Sequence, residues 1–420
     1  MIAQDSPRYG RDKFRQLDQE LPTANTYRTA SGAPGHQYWQ QRADYDIRVE
    51  LDDALQRITG EETVTYYNQS PDRLDYLWLQ LDQNMRSKDS DTRKIDTGAL
   101  RDSMSIEGLE RMLDVFDGGF RIGKVTDISG RALPFTINKT MMRIDLPRTL
   151  MPGQTFKFKV DWWYPINDRN KYGGRSGYEY FPEEGNYLYT IAQFFPRMAV
   201  YADHQGWQHK QFLGRGEFTL TFGDYDVSIT VPADHIVAAT GVLQNAGTVL
   251  TSTQRARLDK ARNSDTPVMI VTPEEALENE KEGTTAKKTW VFRAENVRDF
   301  AFASSRKFIW DAQGQPVAGR NVLCMSFYPK EGNPLWEKYS TKVVAHTIKT
   351  YSKFTVDYPY PVAISVHTDR IGMEYPMMCN DASTAPRSPM TLTIHEVSHT
   401  YFPFMMGINE QEYAWMDEGW

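Results

Sequence analysis

The sequence has little of what marks a disulfide-rich, membrane-spanning or nucleic-acid-binding protein. Only two of its 420 residues are cysteine, Cys324 and Cys379, so we expect free buried thiols rather than a disulfide framework. No stretch of about 18 consecutive apolar residues occurs, and the sequence therefore predicts no membrane span. The net charge of −7 argues against a nucleic-acid partner, which would favour a basic face.

The N-terminus lacks a complete secretion signal. Residues 1–10, MIAQDSPRYG, have neither a basic region nor an apolar core. Ile2-Ala3-Gln4 could be the tail of a signal whose front is missing. This interpretation favours an exported protein, periplasmic or extracellular, over a cytoplasmic one. Residues 1–35 are polar and predict a flexible N-terminal segment.

Alternation of apolar and polar residues is abundant in the first half of the chain. The alternating apolar sets are Tyr45, Ile47, Val49 and Leu51; Leu77, Leu79 and Leu81; Met142, Ile144 and Leu146; Phe156, Phe158, Val160 and Trp162; and Tyr225, Val227, Ile229 and Val231. Period-two patterns bounded by turn residues predict antiparallel sheets with one buried face. We therefore predict an antiparallel β-sandwich or saddle domain over residues 36–310.

Two segments interrupt the alternation. Residues 167–186 are rich in glycine, asparagine and charge and predict a long loop. Residues 250–288 predict a charged, partly helical insertion with a solvated surface.

The chain changes character after about residue 310. Residues 334–355 have apolar residues on one helical face, and residues 361–369 predict a strand. A helix is expected from Pro389 through Phe402, closed by Gly407, with a second helix from Glu410 to the end. Residues 311–420 therefore form a second, mixed unit.

The sequence HEVSH, residues 395–399, carries the clearest chemical signal. On a helix, His395 and His399 share a face and can bind one metal ion, while Glu396 lies beside it and can take a proton from water. A catalytic zinc ion requires about three protein ligands. The pattern HExxHxxGxxH is absent, but Glu418 follows His399 after 18 intervening residues, within WMDEGW.

The arrangement HExxH-x18-E resembles the M1 family of zinc aminopeptidases. The resemblance implies a multidomain α+β fold in which the β domain precedes a thermolysin-like zinc-peptidase domain. It also implies one Zn²⁺ per chain, bound by His395, His399 and Glu418, with Glu396 as the general base.

A second motif, RIGMEYP at residues 370–376, lies where that family has its Gly-x-Met-Glu-Asn exopeptidase motif. Met373 and Glu374 match, Gly372 takes the alanine place, and two other positions depart from the motif. An aminopeptidase must hold a free α-ammonium group, whose pKa is about 8. The resemblance implies that Glu374 is the carboxylate that binds it, whereas the departures leave the pocket for the first side chain open.

A weaker match lies in residues 191–207. Gln193 fits the first glutamine of the family's Thr-Gln-x-Glu or Thr-Gln-x-Gln strand, which reaches the amino end of the substrate. Ala192 and Phe195 depart from that pattern. A β-strand with one polar residue is the alternative interpretation. Residues 296–305 resemble the segment that joins the two domains.

The predicted function is zinc-dependent removal of N-terminal residues from peptides with a free N-terminus. The family's oxyanion-stabilising tyrosine and helical C-terminal domain have no counterpart before Trp420. We therefore expect the sequence to be a fragment, with a truncated catalytic domain and poor activity of its own. The oligomeric state and the preferred N-terminal residue are not predicted.

Three alternatives remain open at this point. The same scaffold supports a hydrolase of lipid epoxides, and an endopeptidase of the wider HExxH class would have no need of Glu374. A non-catalytic peptide-binding or scaffold protein would have no use for Glu396. Elemental analysis for zinc and cleavage of N-terminally blocked peptides distinguish these functions.

Overall fold

The structure, a computed structural model, describes residues 24–95, 103–106, 109, 116–281, 283–369, 371–382 and 387–419. Most of the predicted flexible N-terminal segment, residues 1–23, lies outside these ranges, as does Arg370. Among the described residues, no helix is long and apolar enough to cross a membrane. Both cysteines are buried and free, as expected.

Strands dominate the described chain. In order they are β1 (Arg42–Asp52), β2 (Arg57–Tyr67), β3 (Leu74–Gln80), β4 (Arg121–Asp127), β5 (Phe135–Asn138), β6 (Met141–Leu150), β7 (Thr155–Pro165), β8 (Gly177–Phe181), β9 (Asn186–Ile191), β10 (Arg197–Met198), β11 (Tyr201–Ala202), β12 (Gly206–Trp207), β13 (Gly223–Pro232), β14 (Ile236–Ala239), β15 (Val242–Leu243), β16 (Val268–Val271), β17 (Lys287–Val297), β18 (Phe302–Ser305), β19 (Ile309–Val317), β20 (Arg320–Tyr328), β21 (Val362–Thr368), β22 (Met373–Tyr375) and β23 (Met378–Ala382).

The helices are fewer and concentrate towards the end of the chain. They are α1 (Thr92–Ile95), α2 (Arg169–Tyr172), α3 (Ala246–Val249), α4 (Ser252–Ala261), α5 (Pro273–Lys281), α6 (Leu335–Phe354), α7 (Arg387–Ser398) and α8 (Trp415–Glu418). Short 3₁₀ turns occupy Asp82–Arg86 and Lys330–Gly332, and a π-helical segment occupies Thr400–Met405.

The strands assemble into four sheets and a small hairpin, β11-β12. The first half forms a seven-stranded sheet in the order β15-β17-β13-β1-β2-β7-β4 and two four-stranded sheets, β10-β3-β6-β5 and β14-β18-β9-β8. The second half contributes a six-stranded sheet, β16-β19-β20-β21-β23-β22. The fold is therefore mixed α+β and mostly sheet, as the sequence predicts.

The predicted alternation places the core correctly. In β1 the residues at every second position, from Ala43 to Leu51, are buried, whereas most of their neighbours are partly or fully exposed. The same pattern holds in β7 and β13. Because one face of each strand is apolar, burying that face between sheets stabilises the first half of the chain.

Two predictions for the first half are wrong in detail. Strand β1 pairs in parallel with β13, from Tyr45 opposite Tyr225 onwards, so the seven-stranded sheet is not wholly antiparallel. Residues 167–186 are not a long loop, because Asp168 caps α2 and the following residues pair as the hairpin β8-β9. Because the segment is rich in glycine and charged residues, its tyrosine-rich strand pair could not be predicted from the sequence.

The domain boundaries remain predictions. The charged insertion at 250–288 contains the expected helices α4 and α5, but also β16, which pairs with β19 in the six-stranded sheet. The predicted division at residue 310 falls inside β19. The six-stranded sheet of the second half thus includes a strand, β16, that the sequence assigns to the β domain.

Helix α6 covers the six-stranded sheet with the face predicted from its sequence. Trp336, Val344 and Ile348 are buried, and α6 also packs against α7. Helix α7 ends at Ser398, earlier than predicted, and Phe402 has extended backbone angles (φ −134°, ψ 114°) inside the following π-helical segment. Because that residue cannot continue the helical hydrogen bonding, the single helix expected through Phe402 is divided.

One inward position of the β core carries an acid. Glu62 in β2 lies between the buried residues Gly60 and Val64, and it is 1% exposed. Neither of its carboxylate oxygens has a hydrogen-bond partner among the described residues. Burial raises the pKa of Glu62 well above its ordinary value, since the charged form is poorly solvated there.

We predict that Glu62→Gln stabilises the protein at pH 8 and that the gain shrinks at pH 5. The folded state keeps a proton on Glu62 that the unfolded chain loses above about pH 4.3, so wild-type stability falls as pH rises past that value. The gain is expected to grow by up to about 1.4 kcal/mol for each pH unit between pH 5 and pH 8 over which only the folded state keeps the proton. Thermal-unfolding midpoints at both pH values measure it. Glu61→Gln, on the exposed face of the same strand, is the control. A gain that is equal at both pH values would contradict the account.

Candidate metal centre and active site

Three potential metal ligands converge at the end of α7. The Nε2 atoms of His395 and His399 lie 3.1 Å apart. Oε2 of Glu418 lies 3.3 Å from Nε2 of His395 and 3.9 Å from Nε2 of His399. Zinc bonds of about 2.0–2.2 Å in tetrahedral geometry place ligand atoms roughly 3.3 Å from one another. The donor set and its spacing therefore fit a zinc ion.

The two histidines owe their arrangement to α7. Residues four apart on a helix share a face, and His399 keeps helical backbone angles (φ −61°, ψ −18°) although α7 ends one residue earlier. The rings meet edge to face with centroids 4.5 Å apart. His399 is buried whereas the side chain of His395 is 43% exposed, so one side of the cluster is open to solvent.

Glu418 arrives on α8, which a buried arginine helps to place. Arg298 donates to Oε1 of Glu410 (2.7 Å) and to the carbonyl oxygen of Ile408 (2.9 Å), within the segment that joins the π-helical turn to α8. Burial raises the pKa of Glu410 to about 8, and the charge of Arg298 opposes that rise. The ion pair fixes the path of the chain between His399 and Glu418.

His399 has a second acidic partner, Asp417. Nδ1 of His399 lies 2.7 Å from Oδ1 of Asp417 and 3.0 Å from the carbonyl oxygen of Phe402. Burial alone would lower the pKa of His399, but the contact with Asp417 outweighs it and raises the pKa to about 9. A proton held on Nδ1 leaves the Nε2 lone pair free for a metal, which is how carboxylates orient metal-binding histidines.

Glu396 lies beside this cluster in a confined space. It is 5% exposed, and its Oε2 has no hydrogen-bond partner among the described residues. Burial raises its pKa to about 9, and the nearby charges of Glu374 and Asp381 add to that rise. A Cβ atom on Gly372 would overlap with Oε1 of Glu396, so any larger residue at that position would force this carboxylate to move.

Glu374 lies in β22, the last strand in the order of the six-stranded sheet. It is 4% exposed, and its Oε1 has no partner within the described part of the chain. Its carboxylate converges with those of Glu217 and Glu410, with one oxygen of each within 4.8 Å of the others. Met373 lines the same small cavity. Burial raises the pKa of Glu374 well above its ordinary value, and Glu217 contributes next.

The charges in this cavity are unequally compensated. Arg175 forms a bidentate ion pair with Glu217, and Arg298 pairs with Glu410. Glu374 has no such partner among the described residues. The cavity therefore has one carboxylate more than it has arginine partners.

Gln193 is placed differently from the prediction. It lies in the bend between β9 and β10 with a positive φ of 53°, not in a strand, and it is 2% exposed. Its carbonyl oxygen accepts from Nε2 of Gln83 (3.1 Å). In the described residues its own Nε2 has no hydrogen-bond partner, and no hydrogen bond joins it to Glu374 or the metal cluster.

The structure brings together most of the residues singled out in the sequence. His395, His399 and Glu418 converge, and Gly372, two residues before Glu374 in the chain, packs directly against Glu396. The hydroxyl group of Tyr401, two residues after His399, lies 3.0 Å from Oγ of Ser352 in α6.

Four residues of this region escape detection in the sequence. Asp417 had a signal, because it directly precedes Glu418 and metal-binding histidines usually have an acidic partner. Arg298, Glu217 and Arg175 had none, since they lie far from HEVSH along the chain and only the fold brings them near.

The chain resembles known proteins in its fold. No family model matches the chain, and no curated protein matches it significantly. A crystal structure of an M1 zinc metallopeptidase from Deinococcus radiodurans matches with a TM-score of 0.55 and 14% identity, covering 92% of this chain and 69% of the other. A mutant of that enzyme matches with a TM-score of 0.54 and 14% identity, covering 92% and 70%.

A further crystal structure is the mutant metallopeptidase from the same organism bound to a Tyr-Ser-Ala substrate. It matches with a TM-score of 0.51 and 13% identity over 92% of this chain and 70% of the other. At such low identity the likeness shows the fold alone. The chain has the fold of the M1 zinc metallopeptidases, and the α+β architecture expected from the sequence is confirmed.

We predict that Asp417→Ala weakens zinc binding by roughly ten- to a hundredfold, because His399 loses the acid that orients its ring. Competition with a zinc-chelating dye measures the dissociation constant. Glu412→Ala, an exposed acid five residues earlier, is the control. Equal affinities of the two variants would contradict a role for Asp417.

Proposed function

We propose that the protein is a zinc-dependent aminopeptidase that hydrolyses the first peptide bond of substrates with a free N-terminus. One observation carries this proposal: Nε2 of His395, Nε2 of His399 and Oε2 of Glu418 converge next to the buried carboxylate of Glu396. The fold shared with M1 zinc metallopeptidases supports the same chemistry.

His395, His399 and Glu418 would hold one zinc ion. Bound there, zinc would polarise the scissile carbonyl group and lower the pKa of a water molecule. Asp417 keeps the ring of His399 oriented throughout.

Glu396 is proposed as the general base. Its unpartnered Oε2 accepts a proton from the attacking water and passes it to the nitrogen of the leaving amine. Gly372 leaves room for this carboxylate, because any side chain at that position would displace it. The high pKa of Glu396 belongs to a site without a cation, and a nearby positive charge favours the ionised form that a base requires.

Glu374 is proposed to bind the α-ammonium group of the substrate. Arg175 and Arg298 already pair with the two neighbouring acids, so the cavity has one carboxylate left for one positive charge. An anchored ammonium group limits which bond can reach Glu396, and this limit distinguishes an aminopeptidase from an endopeptidase.

The edge position of β22 suits an extended peptide. A substrate can add to the sheet as a further strand, with its backbone paired to residues 373–375. This pairing would place the N-terminus of the peptide next to Glu374 without requiring a particular side chain.

We predict that Glu396→Gln lowers hydrolysis of an aminoacyl-arylamide by roughly a hundred- to ten-thousandfold, because the proton acceptor is lost while the ligands remain. Bound zinc, measured by elemental analysis, stays at one per chain. Glu278→Gln, on the exposed face of α5, retains full activity. Loss of zinc along with activity would show instead that Glu396 acts structurally, and a zinc-free wild type would favour a scaffold function.

We further predict that Glu374→Gln lowers kcat/KM for free peptides by roughly ten- to a hundredfold, the worth of a charge-assisted hydrogen bond. N-acetylated peptides, which have no ammonium group, are cleaved equally poorly by both proteins. The measurement is the ratio of kcat/KM for free and acetylated forms of one peptide, with Glu183→Gln as the exposed control. An unchanged ratio would overturn the role of Glu374 and favour an endopeptidase.

A further inference from the structure

A cavity of about 140 Å³ lies between the two halves of the chain, and none of the metal-centre residues lines it. Strands β14, β15 and β17 form one wall, and β19, β20 and β21 form the other. Helix α4 contributes Leu258, and Arg262 directly after its last residue also lines the cavity. The cavity thus lies between the seven-stranded sheet and the six-stranded sheet, which also contains β22 with Glu374.

The lining is almost entirely apolar, with two exceptions near solvent. The side chain of Arg262 is 49% exposed and lies 4.0 Å from Asp259, and Asn321 is exposed. The remaining lining residues are aliphatic, aromatic, glycine or proline, among them Val242, Leu323 and Met325. Apolar walls around a cavity of this size can hold a small apolar molecule.

Two tryptophans in the lining have unused hydrogen-bond donors. Trp290 in β17 is 0% exposed and Trp310 in β19 is 3% exposed, and they belong to opposite walls. The Nε1 atom of each is buried and has no hydrogen-bond partner among the described residues. An indole N–H can only donate, so a complementary ligand must bring an acceptor.

We propose that this cavity binds a small uncharged molecule about the size of a substituted benzene, with a carbonyl oxygen that accepts from Trp290 or Trp310. The volume is close to that of a cavity known to hold benzene, roughly 150 Å³. The apolar walls bind the ring, and an indole N–H supplies the single polar contact. A carboxylate is unsuitable, because the lining offers no buried cation to balance its charge.

Binding would strengthen the packing between the two sheets. Because the cavity requires both walls, a ligand that occupies it binds the folded state alone and raises the unfolding temperature by mass action. This effect does not depend on zinc or on peptide hydrolysis, so the inference stands or falls separately from the proposed function.

Three compounds test the chemistry: acetophenone, with a ring and a carbonyl group; toluene, with a ring only; and benzoate, with a charged group. Calorimetric titration of each into the intact chain gives the dissociation constants, and thermal unfolding gives the shift in midpoint. We expect acetophenone to bind roughly three- to tenfold more tightly than toluene, as one hydrogen bond implies, and benzoate not to bind.

Variants locate the site. Trp290→Phe or Trp310→Phe removes one donor, and one of the two is expected to abolish the preference for acetophenone over toluene. Trp336→Phe is the matched control, because Trp336 Nε1 is also buried with no partner in the described part of the chain, but Trp336 does not line the cavity. Ala238→Leu fills the cavity and should abolish binding of both compounds; Ala246→Leu, at a half-buried position, serves if the first variant fails to fold.

The proposal fails if no compound binds, or if both bind and neither cavity-filling variant weakens them. It also fails if acetophenone and toluene bind equally well, or if Trp336→Phe removes the preference as fully as a lining tryptophan variant does. A preference lost in one lining variant and retained in the control supports the proposal.

Discussion

The ion pair between Arg298 and Glu410 links the two parts of the molecule that the candidate site needs. Arg298 follows directly after β17 of the seven-stranded sheet, and Glu410 lies between the histidines and Glu418. Both side chains are almost completely buried, at 2% and 3% exposure. Removing one partner of such a pair leaves a buried charge unpaired, which costs about 3–5 kcal/mol. The position of Glu418, the third candidate ligand, therefore depends on a residue of the β-rich half.

Charge balance explains the chemistry that this arrangement can support. Acids crowd the region, and burial together with mutual repulsion raises the pKa values of Glu374, Glu396 and Glu410. Two arginines compensate two of the acids in the cavity beside β22. Glu374 has no arginine partner among the described residues, so a substrate ammonium group beside it, like a metal cation at the histidines, would lower these raised pKa values and favour the ionised carboxylates. The site is thus arranged for cationic ligands.

The sequence predicts those features that depend on local spacing. Alternation located the strands β1, β3, β6, β7 and β13, and helical spacing placed His395 and His399 on one face. The hairpin within residues 167–186 was missed because its glycines and charges have no clear period. The interruption at Phe402 was also missed, since it depends on how the chain turns after α7.

The missed parts of the site have a common physical origin. Glu217 and Arg175, which both lie in loops, reach Glu374 only because the fold brings distant segments together, and no spacing rule connects them. Gln193 illustrates a local pattern that misleads. It matches one residue of a strand motif, but its positive φ gives it a left-handed backbone conformation that does not belong to a strand. Local patterns thus predicted the candidate ligands, whereas the charges around them could be identified only from the fold.

X-ray absorption spectroscopy of the zinc-loaded protein, combined with anomalous diffraction at the zinc edge, tests the central claim most directly. The account predicts one zinc ion per chain, with two imidazole nitrogens at about 2.0–2.1 Å from His395 and His399 and a carboxylate oxygen at about 2.0–2.2 Å from Glu418. An ion that is absent, or that lies among Glu217, Glu374 and Glu410 instead, would contradict it.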